Sequence, residues 1–272
     1  MEFIKIKQMR TEKKIALESL INLVKIKSKH SDYQILHPFV ESLFQKGSYQ
    51  PSGKSEMKRL QYMRSCHSQK GLRILDIGAN TGFFSIAAIE DGAKQVISQE
   101  GNIEHANFIE LSAQCLDLED KIIVRPTYFD FSAENAETCY DLTLCLNVLH
   151  HLGDDFGDRT LKLEAAKLEM KGSLNKLAVK SRLCWMQIGF NWKGKPENPL
   201  FINGTKLEII NFIRLSIKDY WAIERVAVFD PVSRNYVDAN DENMQRYDFL
   251  GEFLNRPLFL LRSLVAKKYD PN

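Results

Sequence analysis

A carboxylate and two glycines close an apolar run in the stretch LRILDIGANTGFF, residues 72–84. Asp76, Gly78 and Gly82 follow the pattern D-x-G-x-x-x-G, in which glycine lets the backbone turn tightly and approach a ligand. Dinucleotide-binding turns carry G-x-G-x-x-G instead, and Asn80 stands where their middle glycine would be. A carboxylate so close to the turn would repel a pyrophosphate, so the spacing favours a ligand that carries an ammonium group. A helix that begins at Phe83 would aim free N–H groups at the same space, which favours a carboxylate as well.

Further acidic residues stand at the ends of the next two apolar runs. Glu100 ends VISQE, 22 residues after Gly78, which is the position from which an acidic residue accepts the hydroxyl groups of a ribose. Asp130 and Phe131 end RPTYFDF, where a carboxylate can accept from an adenine amino group and a ring can stack on the base. The alternatives are a surface carboxylate at a strand end and a loop that packs its phenylalanines into the core.

The elements that must position these residues alternate between strand and helix patterns from residue 72 onward. The strand candidates are Arg73–Ile77, Gln95–Gln99, Ile122–Pro126, Leu142–Leu146, Leu183–Ile188, Ile223–Phe229 and Leu258–Leu261. The helix candidates between them are Phe83–Asp91, Ile103–Cys115, Arg159–Val179 and Thr205–Ser216. This alternation predicts a parallel sheet covered by helices, and the polar stretch 230–255 would let the last strand return antiparallel. Residues 10–28, 34–46 and 55–66 have helical spacing, with a loop at 47–53.

With these residues in place, the sequence resembles the class I S-adenosylmethionine-dependent methyltransferases. The matching pieces are LDIGANTGFFS, VISQEGN, YFDFS and YDLTLCLNVLHHL, and the match covers roughly residues 70–155. The resemblance implies an α/β fold with a Rossmann-like, seven-stranded, mostly parallel sheet whose last strand is antiparallel, and S-adenosylmethionine as methyl donor. We expect residues 1–68 to form a helical N-terminal extension or lid and residues 69–272 to form the methyltransferase domain.

The resemblance also implies which residues contact each part of the donor. The implied contacts are Gly78, Asn80 and Gly82 for the methionine part, Asp76 for its amino group, Glu100 and Gly101 for the ribose, Asp130 and Phe131 for the adenine, and Asn147 for the sulfonium.

Two histidines follow the fourth strand candidate and are the chemical groups best suited to catalysis. An oxygen acceptor of high pKa benefits from a base, and a histidine suits that role. We expect His151 to be the base, with Asp154 or Asp155 as its partner, and His150 to be a second candidate. The alternative is that one histidine packs under the strand while the other caps the loop. The sequence at this strand lacks the Asn/Asp-Pro-Pro-Tyr/Phe and Pro-Cys motifs, which argues against amino methylation of adenine or glutamine and against covalent cytosine chemistry.

Residues on either side of the donor motif are the candidates for acceptor binding. The segment WMQIGFNWKGKPENPLFINGTK (185–206) combines aromatic rings with amides, which suits a planar or sugar-like acceptor. Its arrangement also resembles uncharacterised methyltransferases tied to surface-polysaccharide pathways. The lead-in SYQPSGKSEMKR (48–59) would close over the site, where Lys54 would touch donor or acceptor. The expected substrate-binding residues are Tyr49, Arg59, Gln187, Asn191 and Trp192.

The amino-acid composition is typical of a globular protein without a membrane span. Apolar residues make up 44% and charged residues 26% of the 272 residues, as in soluble globular proteins. No apolar run is long enough for a membrane span, and the N-terminus has no apolar core of a signal peptide. Five scattered cysteines without a CxxC pair argue against a disulfide framework and against a metal site. We therefore expect a cytoplasmic protein.

Charge is distributed unevenly along the chain. This distribution is compatible with more than one class of methyl acceptor. Residues 1–70 hold 14 Lys/Arg against 6 Asp/Glu, a net charge of +8, whereas the remainder has a net charge of −6. We expect methyl transfer to a saccharide or other small molecule, at oxygen. The first alternative is an RNA (tRNA) methyltransferase that grips phosphates with the basic segment, although nucleic acid is the less favoured partner because no RNA-binding module is recognisable. The second alternative is a non-catalytic S-adenosylmethionine-binding module. The sequence leaves the oligomeric state open.

Overall fold

The structure is a computed structural model that describes residues 2–24, 34–44, 56–131 and 140–266. The chain divides into two compact units. The first contains residues Met1–Glu56 and Ser68–Phe129, and the second contains Met57–His67 and Asp130–Asn272. The predicted division into an extension at 1–68 and a domain at 69–272 stays a prediction.

Helices and strands alternate along both units. The helices are α1 (Glu2–Leu23), α2 (Pro38–Glu41), α3 (Glu56–Cys66), α4 (Phe83–Glu90), α5 (Ile103–Cys115), α6 (Leu163–Lys180), α7 (Lys206–Ile217) and α8 (Gly251–Asn255). The strands are β1 (Arg73–Ile77), β2 (Gln95–Gln99), β3 (Ile122–Arg125), β4 (Tyr140–Leu146), β5 (Ser181–Gln187), β6 (Trp221–Asp230), β7 (Asn235–Asp238) and β8 (Leu258–Ser263). Short 3-10 helices lie at Leu149–His151, Trp192–Gly194 and Asp248–Leu250.

The strands of the first unit form a parallel ladder in the order β3-β2-β1. Ile74 and Leu75 of β1 are fully buried, as expected of a parallel strand covered on both faces. Ile77, the last residue of β1, pairs with Gln99, the last residue of β2. Because the two strands are parallel and in this register, the residues that follow them emerge at the same edge of the ladder.

The strands of the second unit follow the order β4-β5-β8-β6-β7. The strands β4 and β5 are parallel, whereas β8 is antiparallel to both β5 and β6. The α/β class and the antiparallel last strand are thus confirmed. The strand β7 pairs with β6 as an antiparallel hairpin, so the described residues contain eight strands and the predicted number of seven is wrong.

The missed strand lies inside the long polar stretch that followed the sixth predicted strand. The carboxylate of Asp230 accepts from the N–H groups of Val232 and Ser233, which closes the turn into β7. Tyr236 is buried, whereas the rest of β7 is polar, so its four residues lack the apolar alternation that identifies a strand.

The helix predicted at 34–46 is also shorter than expected. Among the described residues there, α2 contains only Pro38–Glu41. The residue before a proline is driven out of the helical region, and His37 is accordingly extended, with ψ 141°. The helix predicted at 10–28 is α1, which begins at Glu2 and ends at Leu23. The predicted loop at 47–53 lies outside the described residues.

The helices of the structure carry no sign of a membrane segment. Among the described ranges, none is both long and apolar enough to cross a bilayer.

Candidate functional site

The turn after β1 has the left-handed backbone that its glycines favour. Gly78 and Gly82 have φ values of 69° and 78°, and Asn80 between them has φ 53°. A Cβ atom on Gly82 would also lie 3.1 Å from Ile109 Cγ1, so glycine is required there for space as well as for conformation. Asparagine tolerates the left-handed region better than most residues, which explains Asn80.

Glu100, the residue after β2, stabilises this turn through hydrogen bonds. Its Oε2 accepts from the N–H of Asn80 at 2.7 Å, and its Oε1 accepts from the N–H of Asn102 at 2.8 Å. The side chain is buried, with 7% of its residue surface exposed. The candidate for ribose binding therefore also fixes the conformation of the turn.

Every backbone N–H group from residue 78 to residue 83 donates a hydrogen bond inside the protein. The acceptors are Gln99 O for Gly78 and Ala79, Glu100 Oε2 for Asn80, Asn80 Oδ1 for Thr81, Ala79 O for Gly82, and Gln34 Oε1 for Phe83. The expectation that α4 aims free N–H groups at the ligand is thus wrong for its first residue, because the Gln34 side chain takes the Phe83 N–H. A backbone site for pyrophosphate needs N–H groups that are available to the ligand. The turn offers side-chain oxygens instead.

Asp76 lies below the turn, in the interior of β1. Its Oδ2 accepts from Ser85 Oγ at 2.7 Å, and Ser85 Oγ lies 2.7 Å from Ser98 Oγ on β2. Burial raises the pKa of Asp76 to about 7, the hydrogen bond from Ser85 opposes that rise, and the charge of Glu100 adds to it. A cation placed beside Asp76 would favour its ionised form.

Gly101 meets an aromatic ring that the sequence analysis left unassigned. A Cβ atom on Gly101 would lie 2.2 Å from the ring of Tyr128, so the ring rests directly on the Gly101 backbone. The preceding residue, Thr127, is held by Gln99, whose Nε2 donates to Thr127 O at 2.7 Å and to its hydroxyl at 2.8 Å. Of the two predicted adenine contacts, Asp130 is exposed and Phe131 is buried, with its ring centroid 5.8 Å from that of Phe156.

In the second unit, Asn147 follows β4 in the left-handed conformation, with φ 63°. Its N–H donates to Gln187 O at 2.8 Å, and its Nδ2 donates to Gln187 Oε1 at 3.0 Å. Arg59 Nη1 donates to the same Gln187 oxygen at 3.0 Å. The structure thus brings together three residues predicted from distant parts of the sequence, and all three are buried.

Arg256 and Glu252 extend this buried network, and sequence reasoning missed both. Arg256 Nη1 donates to Asn147 Oδ1 and its Nη2 donates to Glu252 Oε1, each at 2.8 Å. Glu252 also accepts from Phe190 N–H and Asn191 Nδ2, each at 3.0 Å. Burial alone would raise the pKa of Glu252, but the charge and hydrogen bond of Arg256 outweigh it, so the pKa is lowered. Glu252 is therefore ionised at neutral pH.

His150 is fully buried below the loop that follows β4. Its Nδ1 accepts from the N–H of Gly189 at 3.2 Å. A Cβ atom on Gly189 would lie 2.8 Å from the His150 ring and 3.1 Å from Arg256 Nη2. Glycine is therefore needed at 189 so that the backbone can approach the imidazole.

His151 is partly exposed and has a carboxylate partner. Its Nδ1 lies 3.3 Å from Asp155 Oδ2, within ion-pair distance when the imidazole is protonated. His151, Asp154 and Asp155 also place one ligand atom each within 4.8 Å of one another, so the absence of a metal stays a prediction. A Cβ atom on Gly194 would lie 3.2 Å from His151 Cε1.

The aromatic residues expected over the acceptor are largely buried. Trp185, Phe190 and Trp192 expose 1%, 2% and 8% of their surface. Trp192 Nε1 donates to Leu152 O at 2.6 Å, which ties this segment to the loop of His151. Tyr49 and Lys54 lie outside the described residues. Acceptor contact by Tyr49, Arg59, Gln187, Asn191 and Trp192 stays a prediction.

No protein-family model matches the chain. A curated relative, the tRNA U34 carboxymethyltransferase of Helicobacter acinonychis (strain Sheeba), is 26% identical over 112 residues, which are 41% of this chain and 42% of the relative. Among solved structures, the bifunctional kinase-methyltransferase WbdD has a TM-score of 0.54 and 18% identity, over 89% of this chain and 46% of WbdD. The magnesium protoporphyrin IX methyltransferase ChlM from Synechocystis PCC 6803, solved with bound SAM, has a TM-score of 0.47 and 17% identity, over 75% of this chain and 76% of ChlM.

The likeness to WbdD supports a methyltransferase-like α/β fold, as the motifs predict. The chain spans less than half the length of the curated relative and of WbdD.

The raised pKa of Asp76 predicts how stability depends on pH without a ligand. Between the ordinary value of 3.8 and the folded value of about 7, the folded state holds a proton that the unfolded state has lost. The free energy of unfolding should therefore fall as pH rises from 4 to 7, by up to about 4 kcal/mol, and this contribution should stay level above pH 7. Asp76→Asn removes the titrating group, so its stability relative to the wild type should increase across that range.

Urea unfolding at pH 5 and pH 8 measures this difference. Asp120→Asn makes the same charge change at an exposed position and should track the wild type. Parallel pH profiles for Asp76→Asn and the wild type would show that Asp76 titrates normally.

Proposed function

We propose that the chain is a methyltransferase that uses S-adenosylmethionine as donor and methylates a saccharide or another small molecule at oxygen. The donor assignment rests on the hydrogen bonds of the turn at residues 78–82, which we call the Gly turn. Its N–H groups from 78 to 83 are all used internally, while the oxygens of Glu100 and Asn80 lie at the turn. Such a site suits a donor with an ammonium and a sulfonium group better than a pyrophosphate.

In this proposal, residues of the first unit contact the methionine and ribose parts of the donor. Gly78, Asn80 and Gly82 line its methionine part, and Asp76 provides the negative charge for its amino group. The Glu100 carboxylate, which accepts from the N–H groups of Asn80 and Asn102, is the acceptor for the ribose hydroxyls. Gly101 borders the ribose through its backbone, and the Tyr128 ring fills the space that a side chain at 101 would take.

The resemblance assigns the adenine contacts to Asp130 and Phe131 and the sulfonium contact to Asn147. Within the second unit, the N–H and the Nδ2 group of Asn147 donate to Gln187, and its Oδ1 accepts from Arg256. These bonds hold the conformation of Asn147.

His151 acts as the base for an acceptor hydroxyl. The hydroxyl oxygen attacks the methyl carbon, the bond between carbon and sulfur breaks, and the sulfur keeps its electron pair. The hydroxyl proton passes to His151 Nε2, and Asp155 stabilises the resulting imidazolium through Nδ1. The products are the methyl ether and S-adenosylhomocysteine. His150 supports Gly189 from the interior, and Asp154 lies beside the pair.

The basic front segment gives only partial support to an RNA acceptor. Lys13 forms an ion pair with Asp117, and Lys58 Nζ donates to Asn235 Oδ1 at 2.9 Å. Arg59 is buried with its guanidinium 4.7 Å from the centre of the Phe253 ring. These three basic side chains therefore contact other groups of the protein, which favours a small acceptor over RNA.

RNA remains the second candidate because the curated relative is a tRNA-modifying enzyme and the segment carries a net charge of +8. A donor-binding module without catalysis is the third. We place the protein in the cytoplasm, consistent with cysteines that are not in disulfides at Cys66, Cys115, Cys145 and Cys184.

Donor binding should raise thermal stability. At about a hundred times its Kd, S-adenosylhomocysteine should raise Tm by about 5 °C or more, because it binds only the folded state. Glu100→Gln should weaken binding about tenfold or more, since it removes the carboxylate that accepts from both the turn and the ribose. Titration calorimetry gives the Kd values, and Glu110→Gln on the exposed face of α5 is the matched control. A wild-type protein with no Tm shift would rule out the donor.

An acceptor screen should separate the three candidates. Purified protein with S-adenosylmethionine should form methylated product with saccharides or other hydroxyl compounds. Product with tRNA, together with an affinity for tRNA that falls steeply between 50 and 200 mM salt, would favour RNA. Donor binding without product from any class would favour the non-catalytic module.

The proposed base should affect catalysis without affecting donor binding. His151→Asn should lower kcat by about a hundredfold or more, because proton transfer is lost, and should leave the Kd for S-adenosylhomocysteine within about twofold. Asp155→Asn should lower kcat less, and more than Asp154→Asn, because Asp155 is the carboxylate that orients His151. The exposed Asp219→Asn is the control. Equal kcat in His151→Asn and the wild type would remove His151 from the mechanism.

A further inference from the structure

We propose that Ser85 is a positioning residue that holds the Asp76 carboxylate in place for the ammonium group of the donor, and that Ser98 orients the hydroxyl of Ser85. The inference rests on the proposed function, in which Asp76 provides the negative charge for the amino group of the donor. Both serines act through Asp76, so neither needs to contact the donor itself.

The three side chains lie together because of the strand register and of the helix that follows the turn. Asp76 of β1 pairs with Ser98 of β2, so the two side chains stand on the same face of the sheet. Ser85 lies in the first turn of α4 and contacts both, since its Oγ is 2.7 Å from Asp76 Oδ2 and 2.7 Å from Ser98 Oγ. Both serines are fully buried, and Asp76 is buried as well. The bonds of this group are therefore formed away from solvent, where each of them is stronger.

The direction of these hydrogen bonds follows from the number of protons. An ionised carboxylate can only accept, so the single hydroxyl proton of Ser85 goes to Asp76 Oδ2. The Ser85 oxygen then accepts from the hydroxyl of Ser98. Both hydroxyl protons thus have an acceptor when Asp76 is ionised, and the bond from Ser98 strengthens the bond that Ser85 donates.

A protonated Asp76 would fit this arrangement less well. The three side chains would then carry three protons for two hydrogen bonds, so one proton would have no acceptor within the group, which is costly in a buried position. The two serines therefore favour the ionised form of Asp76, which is the form that attracts an ammonium group.

The charges and dipoles around Asp76 agree with this count. Burial raises the pKa of Asp76 to about 7, the hydroxyl and the N–H of Ser85 oppose that rise, and the charge of Glu100 adds to it. Among the described residues, Glu100 is the charged group that acts on Asp76. The hydroxyl of Ser85 thus counteracts both the loss of solvent and a neighbouring carboxylate, and without it Asp76 would hold its proton to a higher pH.

The test measures donor affinity at two pH values. Because the ammonium group should bind ionised Asp76, affinity for S-adenosylhomocysteine should rise with pH up to about 7 and then level off. In Ser85→Ala, Asp76 should ionise about one pH unit higher. This variant should bind about tenfold more weakly than the wild type at pH 6 and within about twofold of it at pH 8.5, where Asp76 is largely ionised in both proteins. Calorimetry on the full chain gives the Kd values, and comparison at the same pH cancels the titration of the ligand.

Three further variants complete the test. Ser98→Ala should act in the same direction as Ser85→Ala and by less, which keeps the inference falsifiable if Ser85→Ala does not fold. Asp76→Asn should bind weakly at both pH values. Ser112→Ala is the matched control, because it removes another fully buried helix hydroxyl of the same unit. Ser112 Oγ has no hydrogen-bond partner among the described residues, so both Kd values should equal those of the wild type.

The inference is overturned if Ser85→Ala weakens binding by the same factor at pH 6 and at pH 8.5, which indicates a purely structural role, or weakens it at neither pH. It is also overturned if the ratio of wild-type affinity to Asp76→Asn affinity is the same at both pH values, since the ammonium group would then not lie beside Asp76. A wild-type protein that does not bind S-adenosylhomocysteine at either pH would instead refute the proposed donor itself.

Discussion

The hydrogen bond between the Asn80 N–H and Glu100 Oε2 is the constraint on which the candidate donor site depends. It forms because β1 and β2 end in register, Ile77 opposite Gln99, so that the next residues of both strands emerge together. Asn80 has a left-handed backbone, which is costly for a residue other than glycine, and the buried carboxylate stabilises it. The same side chain that would hold a ribose thus holds the turn, and the shape of the site and its chemistry are set by one carboxylate.

The carboxylate oxygens near the turn favour a ligand that brings positive charge. Asp76 is buried near the charge of Glu100, and its pKa of about 7 means that the Asp76 carboxyl is partly protonated near neutrality when no cation lies beside it. A ligand that brings an ammonium group replaces that proton as the compensating positive charge. Electrostatics therefore favour a ligand end that carries a positive charge.

The sequence predicted those parts of the fold that depend on neighbouring residues. The bounds of β1, β2 and α5 follow from apolar runs and caps, and the turn glycines follow from their spacing. The failures have two physical causes. The strand β7 is short and polar and exists because β6 gives it a partner. The supporting residues Gln34 and Arg256 meet Thr81 and Asn147 across 47 and 109 residues, and no local pattern encodes such pairs.

The buried network of the second unit shows why the residues expected to contact the acceptor are also structural. Arg256 and Glu252 form a partly buried ion pair, and the desolvation of such a pair is best offset when the remaining donors and acceptors are satisfied. Asn147, Phe190 and Asn191 supply those bonds. Changing any member leaves another charge or amide buried without its partner, so a loss of activity in these variants would not identify an acceptor contact. His151 pairs with Asp155, so substitution of either would not by itself break the Arg256–Glu252 pair and reports on catalysis more directly than substitution within the network.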